Sequence, residues 1–563
     1  MRLDRNKQAS GAPESTITAP ARWFHDGRQA SATASGQQHR SALRRLLPLV
    51  RTGAMLLGFA VASLAMLTQA VQAKGGVGGG AVPGAIPLSV GAATPLGAPA
   101  PFDIIGAIQS FTGTPNGIYS GTIVVNGIAV QIPRNLVVTL PAAYMTVGQL
   151  FGASLQSGLA LNDNPPPIAA YEATIAGNSV GGVYTAGLVS ISQQSLNTAN
   201  GYIRSINYTT GELCVGSSPG ACAPTTDARV VINDPDGRYG KKNGETGKAS
   251  PDARFTVDAD NPTIHARSGY PMCVPRVDPV SGGVDPRCPM TNRSTVLGAF
   301  MPLYVMAINQ MAAPAQFVGL VIPPCPACKV GEQAPLVKGD YITYSGILAS
   351  DTRGIYVAAY SLEANVGIYT PANGPTFYMY MDAPLISTGP AACPANAECQ
   401  ARLKTSIFVT DPFRTPALYA VDETPAGVRT SRPLPSTITN TGVLGRFVIV
   451  VNKDVAVLGG TKGVTREIMG RAANSANGTV SYGPLPASAP AGTANGLVAG
   501  QYVSPVGSYI FPEPNIAGGI LTPYNFRCLA FLANGWAQGG PSPVGPLSPF
   551  PEATAPLTVN CGS

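Results

Sequence analysis

The sequence predicts an all-β chain, built from several small antiparallel barrels or sandwiches with long Gly/Pro-rich loops and local disulfides. Three observations predict it. Short β-branched runs recur with turn signals about every eight to twelve residues, the spacing of a sandwich or barrel. Glycine and proline supply 65 and 53 of the 563 residues. Glycine raises the entropic cost of a helix and proline lacks the N–H its interior needs, so an all-helical fold is excluded. Ten cysteines fall into sequence-neighbour pairs, as loop staples do. With 45% hydrophobic residues the chain can bury a core.

Residues 1–73 read as a polar leader and signal peptide. A basic stretch from Arg40 to Arg45 precedes an uncharged apolar run, Gly53 to Leu67, and small residues follow. These are the three parts of an export signal, with Val71 and Ala73 suiting the cleavage site and Ala73 the last residue removed. The alternative is a retained anchor, but a spanning helix needs about 20 apolar residues. Nine of the 36 basic side chains and three of the 29 acidic ones lie in this leader. The remainder is nearly neutral, and without a clustered basic excess a nucleic-acid partner is excluded.

Residues 74–101 form a Gly/Ala/Pro-rich linker. Residues 102–245 are expected to form one β barrel domain. Residues 246–395 are expected to form a second, with a Cys-rich insertion. Residues 396–486 form a third β domain, and residues 487–563 a Gly/Pro-rich C-terminal tail region. The clearest element is Gly121 to Ile132, where two β-branched runs flank Asn126-Gly127, the preferred two-residue hairpin turn. Tyr171 to Ser192, Gly201 to Val215 and Ala228 to Asn233 continue the strand pattern. Val337 to Leu348, bent at Gly346, and Gly354 to Val366 form a second block. Gly445 to Asn452 belongs to a third.

The cysteines pair as 214/222, 273/288, 325/328, 393/399 and 528/561, which makes Cys214, Cys222, Cys273, Cys288, Cys325, Cys328, Cys393, Cys399, Cys528 and Cys561 disulfide residues of an exported chain. Cys325-Pro326-Ala327-Cys328 lacks the helical context of a redox centre. Between Arg293 and Lys329 there is no charge, and Val296 to Met311 is apolar. That segment reads as buried strands or an interrupted core helix, with a hairpin touching membrane or a partner as the alternative.

The block Val337 to Val366 resembles strands one to three of a small OB-type barrel, and the first block with Gly201 to Val215 is similar. The chain also resembles the pool of uncharacterised secreted β-rich proteins. These resemblances imply a β fold and export; they carry no activity, because fold analogy does not give function.

Catalytic chemistry is scarce. Beyond the leader one histidine remains, His265, and both Ser-His-Asp and Cys-His sites need an imidazole. Ser179 and Ser218 sit in Gly-x-Ser-x-Gly strings without the strand-to-helix context of a nucleophile elbow. Four acids, Asp234, Asp236, Asp258 and Asp260, form two clusters that suit β-turns or oxygen ligation of Ca²⁺. No other cofactor is expected. The sequence therefore predicts a secreted, non-enzymatic envelope or extracellular protein, with a structural or ligand-binding role toward a polysaccharide or an envelope protein. One alternative is a carbohydrate-active hydrolase using paired carboxylates near Asp234 and Asp258. Another is a membrane-associated protein held by an uncleaved leader or by residues 296–322.

Overall fold

Local turn chemistry starts the first sheet. Strands β1 (Ala100–Thr112), β2 (Tyr119–Val125) and β3 (Ile128–Pro133) form an antiparallel meander. At the β2–β3 turn Asn126 and Gly127 adopt φ of 52° and 76°, left-handed at both positions, as this turn requires. The Asn126 amide donates to the Ile105 carbonyl at 2.9 Å and ties the turn back to β1.

The computed structural model describes residues 100–520, apart from 116–118, 134–135, 142, 194–197, 259–260, 297, 383–384, 388–401, 424–428, 452–463, 473–496, 506–507, 511–514 and 517–518. The leader with Ala73, the linker up to residue 99, Asp260, and the pairs Cys393/Cys399 and Cys528/Cys561 lie outside the described residues. What is described is nearly all β.

After β4 (Val137–Leu140), β5 (Ala143–Thr146) and the one-turn helix α1 (Val147–Phe151), the chain returns through β6 (Glu172–Val180) and β7 (Val183–Ser192). A capping box starts α1: Thr146 Oγ1 accepts the Gln149 N–H at 3.2 Å, and Gln149 Oε1 accepts the Thr146 N–H at 2.9 Å. Strand β6 pairs antiparallel with β1 and β7, and β7 meets β3 in parallel, with Val130 opposite Tyr184. Strands β1, β2, β3, β7 and β6 therefore close into a ring with no free edge among them. Alternate side chains fill it, among them Ile123, Val125, Val130, Ile132 and Ile175, all fully buried.

A second ring repeats this connectivity. Strands β8 (Thr198–Asn207), β9 (Glu212–Gly216) and β10 (Ala228–Ile232) form the meander. Strand Tyr341–Asp351 pairs with β8, and strand Gly354–Ala364 pairs in parallel with β10 and closes the ring. Strand β11 (Ile264–Ala266) joins Gly354–Ala364 on the same edge as β10, farther along the strand and opposite Tyr341–Asp351. The ring thus draws on both sides of residue 245. Residues 341–364, which read as opening strands, are the closing pair. Opening and closing strands carry the same alternation, and only the long-range pairing distinguishes them.

Both rings bend at the same place. The register shifts between Ala176 and Gly177 where β6 meets β7, and between Ser345 and Gly346 in the matching pair. A β-carbon on Gly177 would fall on the Thr185 carbonyl oxygen, and one on Gly346 on the Ala358 carbonyl oxygen. The bulge curves the strand far enough to close the ring. Gly346→Ala is expected to cost about 1–3 kcal/mol through this overpacking, read as a lowered urea midpoint. A midpoint equal to that of the wild type would show that the close approach is not needed.

Three of the predicted cysteine pairs are disulfides: Cys214–Cys222, Cys273–Cys288 and Cys325–Cys328. The uncharged segment is neither a helix nor a wholly buried strand pair. It folds as short strands at Thr295–Val296, Ala299–Phe300, Leu303–Val305, Met311–Ala312 and Val321–Ile322. Tyr304, Val305 and Ile322 are fully buried, whereas Ile308 and Val318 are 76% and 94% exposed. Proline and glycine interrupt the run too often for one continuous element. Arg293 anchors the segment: its guanidinium donates to both Asp340 carboxylate oxygens at 2.7 and 2.9 Å and to the Pro335 carbonyl at 2.9 Å.

Two further sheets follow. In one, strand Arg402–Val409 is flanked by Arg446–Val451 on one side and by Leu385–Ser387 and Met379–Met381 on the other. The other orders Arg429–Leu434, Pro416–Glu423, Val464–Ala472 and Gln501–Pro505. Leu403, Ile407, Leu418, Ile449 and Ile468 from these sheets share one continuous core with the first ring. No helix among the described residues is long and apolar enough to cross a membrane.

Candidate ligand cleft

The second ring brings charged residues from distant parts of the sequence to one end. Glu212 opens β9, Arg229 lies on β10, and Asp351 and Arg353 flank the turn into strand Gly354–Ala364. These strands are neighbours, so the charges meet. Glu212 Oε2 accepts from Arg229 at 3.0 Å, from Lys248 at 2.9 Å and from Arg353 at 2.6 Å. Asp351 Oδ2 accepts from Arg229 at 2.6 Å and lies 3.1 Å from the Lys248 ammonium. That ammonium sits 4.1 Å over the Tyr356 ring, a cation–π contact. Three cations face two carboxylates, and the cluster is net positive. Burial alone would raise the Glu212 pKa; the hydrogen bonds from Arg229, Lys248 and Arg353 outweigh it and hold the group at about 2. The Arg229 hydrogen bond holds Asp351 well below the usual carboxylate range.

Beside this cluster lies a cavity of about 530 Å³. Tyr171, just before β6, contributes from the first ring, and Tyr356 and Ser350 contribute from the second. Gln193, Lys248, Ser250, Asp252 and Asp351 complete its polar lining. Burial pushes the Tyr171 phenol up, so it stays protonated. Arg254 latches the two rings together: it pairs with Asp252 at 2.7 Å and donates to the Leu150 and Ser157 carbonyls at 3.1 and 2.8 Å.

The acids singled out in the sequence lie elsewhere. Asp234 is buried, and its Oδ2 accepts the Tyr239 N–H at 2.7 Å. Burial raises its pKa against the backbone hydrogen bonds it receives. Asp258 closes the next turn, accepting from the Asn261 N–H at 3.1 Å and from its amide at 2.9 Å. Asp236 is exposed and lies 3.7 Å from Arg238. Tyr239 bridges the two turns, its hydroxyl donating to the Asn261 carbonyl at 2.8 Å. Among the described residues, metal-ligand side chains gather at Cys214, Cys222 and Asp227, and those two cysteines are joined to each other.

His265 is buried, stacked 4.2 Å from the Tyr380 ring, with Nδ1 2.8 Å from the Ala266 carbonyl. The Ser268 hydroxyl donates to the Ile368 carbonyl at 2.6 Å. Ser179 lies in the β6–β7 hairpin, and the Ser218 hydroxyl accepts from Arg204 at 3.0 Å. Neither serine precedes a helix. Sequence reasoning missed Glu212, Arg229, Lys248, Asp351 and Tyr356. Each is an ordinary strand-end or loop residue, and no motif links them.

No family model matches the chain, and no similar curated protein or solved structure was found.

Proposed function

We propose that this chain is an exported, non-enzymatic binding protein of the cell envelope or extracellular space, and that its cleft takes a polysaccharide segment. The carrying observation is the cavity of about 530 Å³, walled by two tyrosines and by side chains that donate and accept hydrogen bonds. Sugars offer hydroxyls to such groups and C–H faces to aromatic rings, and a cavity of this size suits a ligand of a few rings. The repeated ring order, with its shared bulge, supports reading both rings as OB-type barrels, a fold that also hosts oligosaccharide binding. Three disulfides favour an oxidising compartment. Glu212 and Asp351 are held ionised by their cations, which suits positioning; glycoside hydrolysis needs a carboxyl group that keeps its proton.

Calorimetric titration of the full chain with neutral and acidic polysaccharides tests this reading. Ser350 is exposed at the cavity wall, so Ser350→Trp should obstruct it and weaken binding at least about tenfold, roughly 1.4 kcal/mol, without altering the unfolding midpoint. Absence of saturable binding, or equal binding by the variant, would remove the proposal. Repeating the titration with Ca²⁺ and with a chelator reads out any calcium role for Asp234, Asp236, Asp258 or Asp260.

A further inference from the structure

A second cavity, of about 320 Å³, lies where the turn after β11, the uncharged segment and a C-terminal sheet meet. Its apolar wall is made by Leu303, Tyr369, Phe408 and Leu444. Arg267 is the one charged residue lining it, and Asn365 lies beside that guanidinium.

The turn that carries Arg267 is fixed. The Arg267 N–H donates to the Ala364 carbonyl at 2.8 Å. The Ser268 hydroxyl donates to the Ile368 carbonyl at 2.6 Å and accepts the Ile368 N–H at 3.1 Å. The guanidinium itself is exposed, and its side-chain hydrogen bond is a long one to Asn365 Oδ1 at 3.4 Å. Among the described residues, no carboxylate forms an ion pair with it. The Tyr369 hydroxyl of the wall is engaged, donating to the Leu444 carbonyl at 3.1 Å. Arg446 stacks over the Phe408 ring at 5.3 Å and adds positive charge close to the wall.

A guanidinium that pairs with no acid among the described residues, held at the edge of an aromatic and aliphatic cavity, is complementary to a ligand with an apolar body and an anionic end. The planar fork of arginine matches a carboxylate bidentately. The volume falls at the small end of the roughly 300–1,000 Å³ range of small-molecule pockets, so the apolar body is about one ring or a short chain. We propose that this cavity is a binding site for small amphiphilic carboxylates, with Arg267 holding the carboxylate and Leu303, Tyr369 and Phe408 covering the apolar part. The site is separate from the polysaccharide cleft and does not depend on that reading.

Titration of the full chain with 3-phenylpropionate and with its uncharged amide tests the proposal. The carboxylate is expected to bind saturably, and the amide at least about tenfold more weakly, a difference of roughly 1.4 kcal/mol. Arg267→Gln should bring the carboxylate down to the amide's affinity, while Arg267→Lys keeps part of the gain. Ser350→Trp, at the other cavity, should leave this binding unchanged. The exposure of Arg267 means the glutamine variant should unfold at the wild-type midpoint, which separates lost binding from lost folding. Equal affinity for acid and amide, unaltered binding by Arg267→Gln, or no saturable binding of the carboxylate would each overturn the proposal.

Discussion

Replacing Asp340 by asparagine is expected to destabilise the protein by about 3–5 kcal/mol, the cost of leaving one member of a buried ion pair unpaired. The Arg293 and Asp340 side chains are only 2% and 6% exposed. Asparagine keeps the shape and can still accept the Val337 N–H, which Asp340 Oδ2 takes at 2.9 Å. It cannot balance the guanidinium, which stays charged at any accessible pH. Water cannot reach the charge without opening the junction between the uncharged segment and the second ring. Arg293→Met should cost a similar amount, because the carboxylate is then stranded. The double variant Arg293→Met/Asp340→Asn should recover most of the loss, since neither charge is then stranded and asparagine still accepts the Val337 N–H. Urea unfolding of the three variants checks this. Single variants within about 0.5 kcal/mol of wild type, the range of ordinary surface substitutions, would show that the pair is dispensable.

The second large effect is acid lability centred on Glu212. Its folded pKa of about 2 lies below the ordinary glutamate value. A carboxylate with a depressed folded pKa contributes its stability in full above the ordinary value and loses it as the pH falls toward the folded one. Stability should therefore decline from about pH 4.5, near the ordinary glutamate pKa, down to about 2, with Asp351 adding in the same direction. Glu212→Gln should lower stability at neutral pH by about 1.5–3 kcal/mol, the scale of hydrogen bonds to a charged group. It should also flatten the decline between those pH values. Added salt should shrink the difference, because Arg353 is 53% exposed and exposed charges are screened. An unchanged acid profile in the variant would show that the decline arises elsewhere. The cleft is tied to this network through Lys248, so Glu212→Gln should also loosen the wall that carries Tyr356.

Much of the fold was legible locally. Asn126-Gly127 demands left-handed backbone at two successive positions, and few residues other than asparagine and glycine accept it. The bend at Gly346 was readable as an interruption in an alternating strand. The pairs 214/222, 273/288 and 325/328 were readable because a short loop leaves each cysteine one near partner. The uncharged segment was misjudged in part. Apolar composition reports the average tendency to be buried, while Ile308 and Val318 are exposed at turns whose positions depend on the rest of the segment. The candidate site was not legible at all. Asp234 and Asp258 drew notice as clusters, yet each closes its own turn, and the charges that converge are Glu212, Arg229, Lys248, Asp351 and Arg353.

By itself, then, the sequence determined the β class, the hairpin turns and the local disulfides, because each depends on backbone conformation and contacts within a few residues. Ring closure, the buried Arg293–Asp340 pair, the charge network over Tyr356 and the Arg267 cavity were decided only by the tertiary structure. Glu212 and Arg353 are 141 residues apart in the chain, and no local periodicity carries information over that distance. What joins them is the parallel pairing of β10 with strand Gly354–Ala364, a contact whose loop-closure cost is repaid only once the whole ring has buried its core.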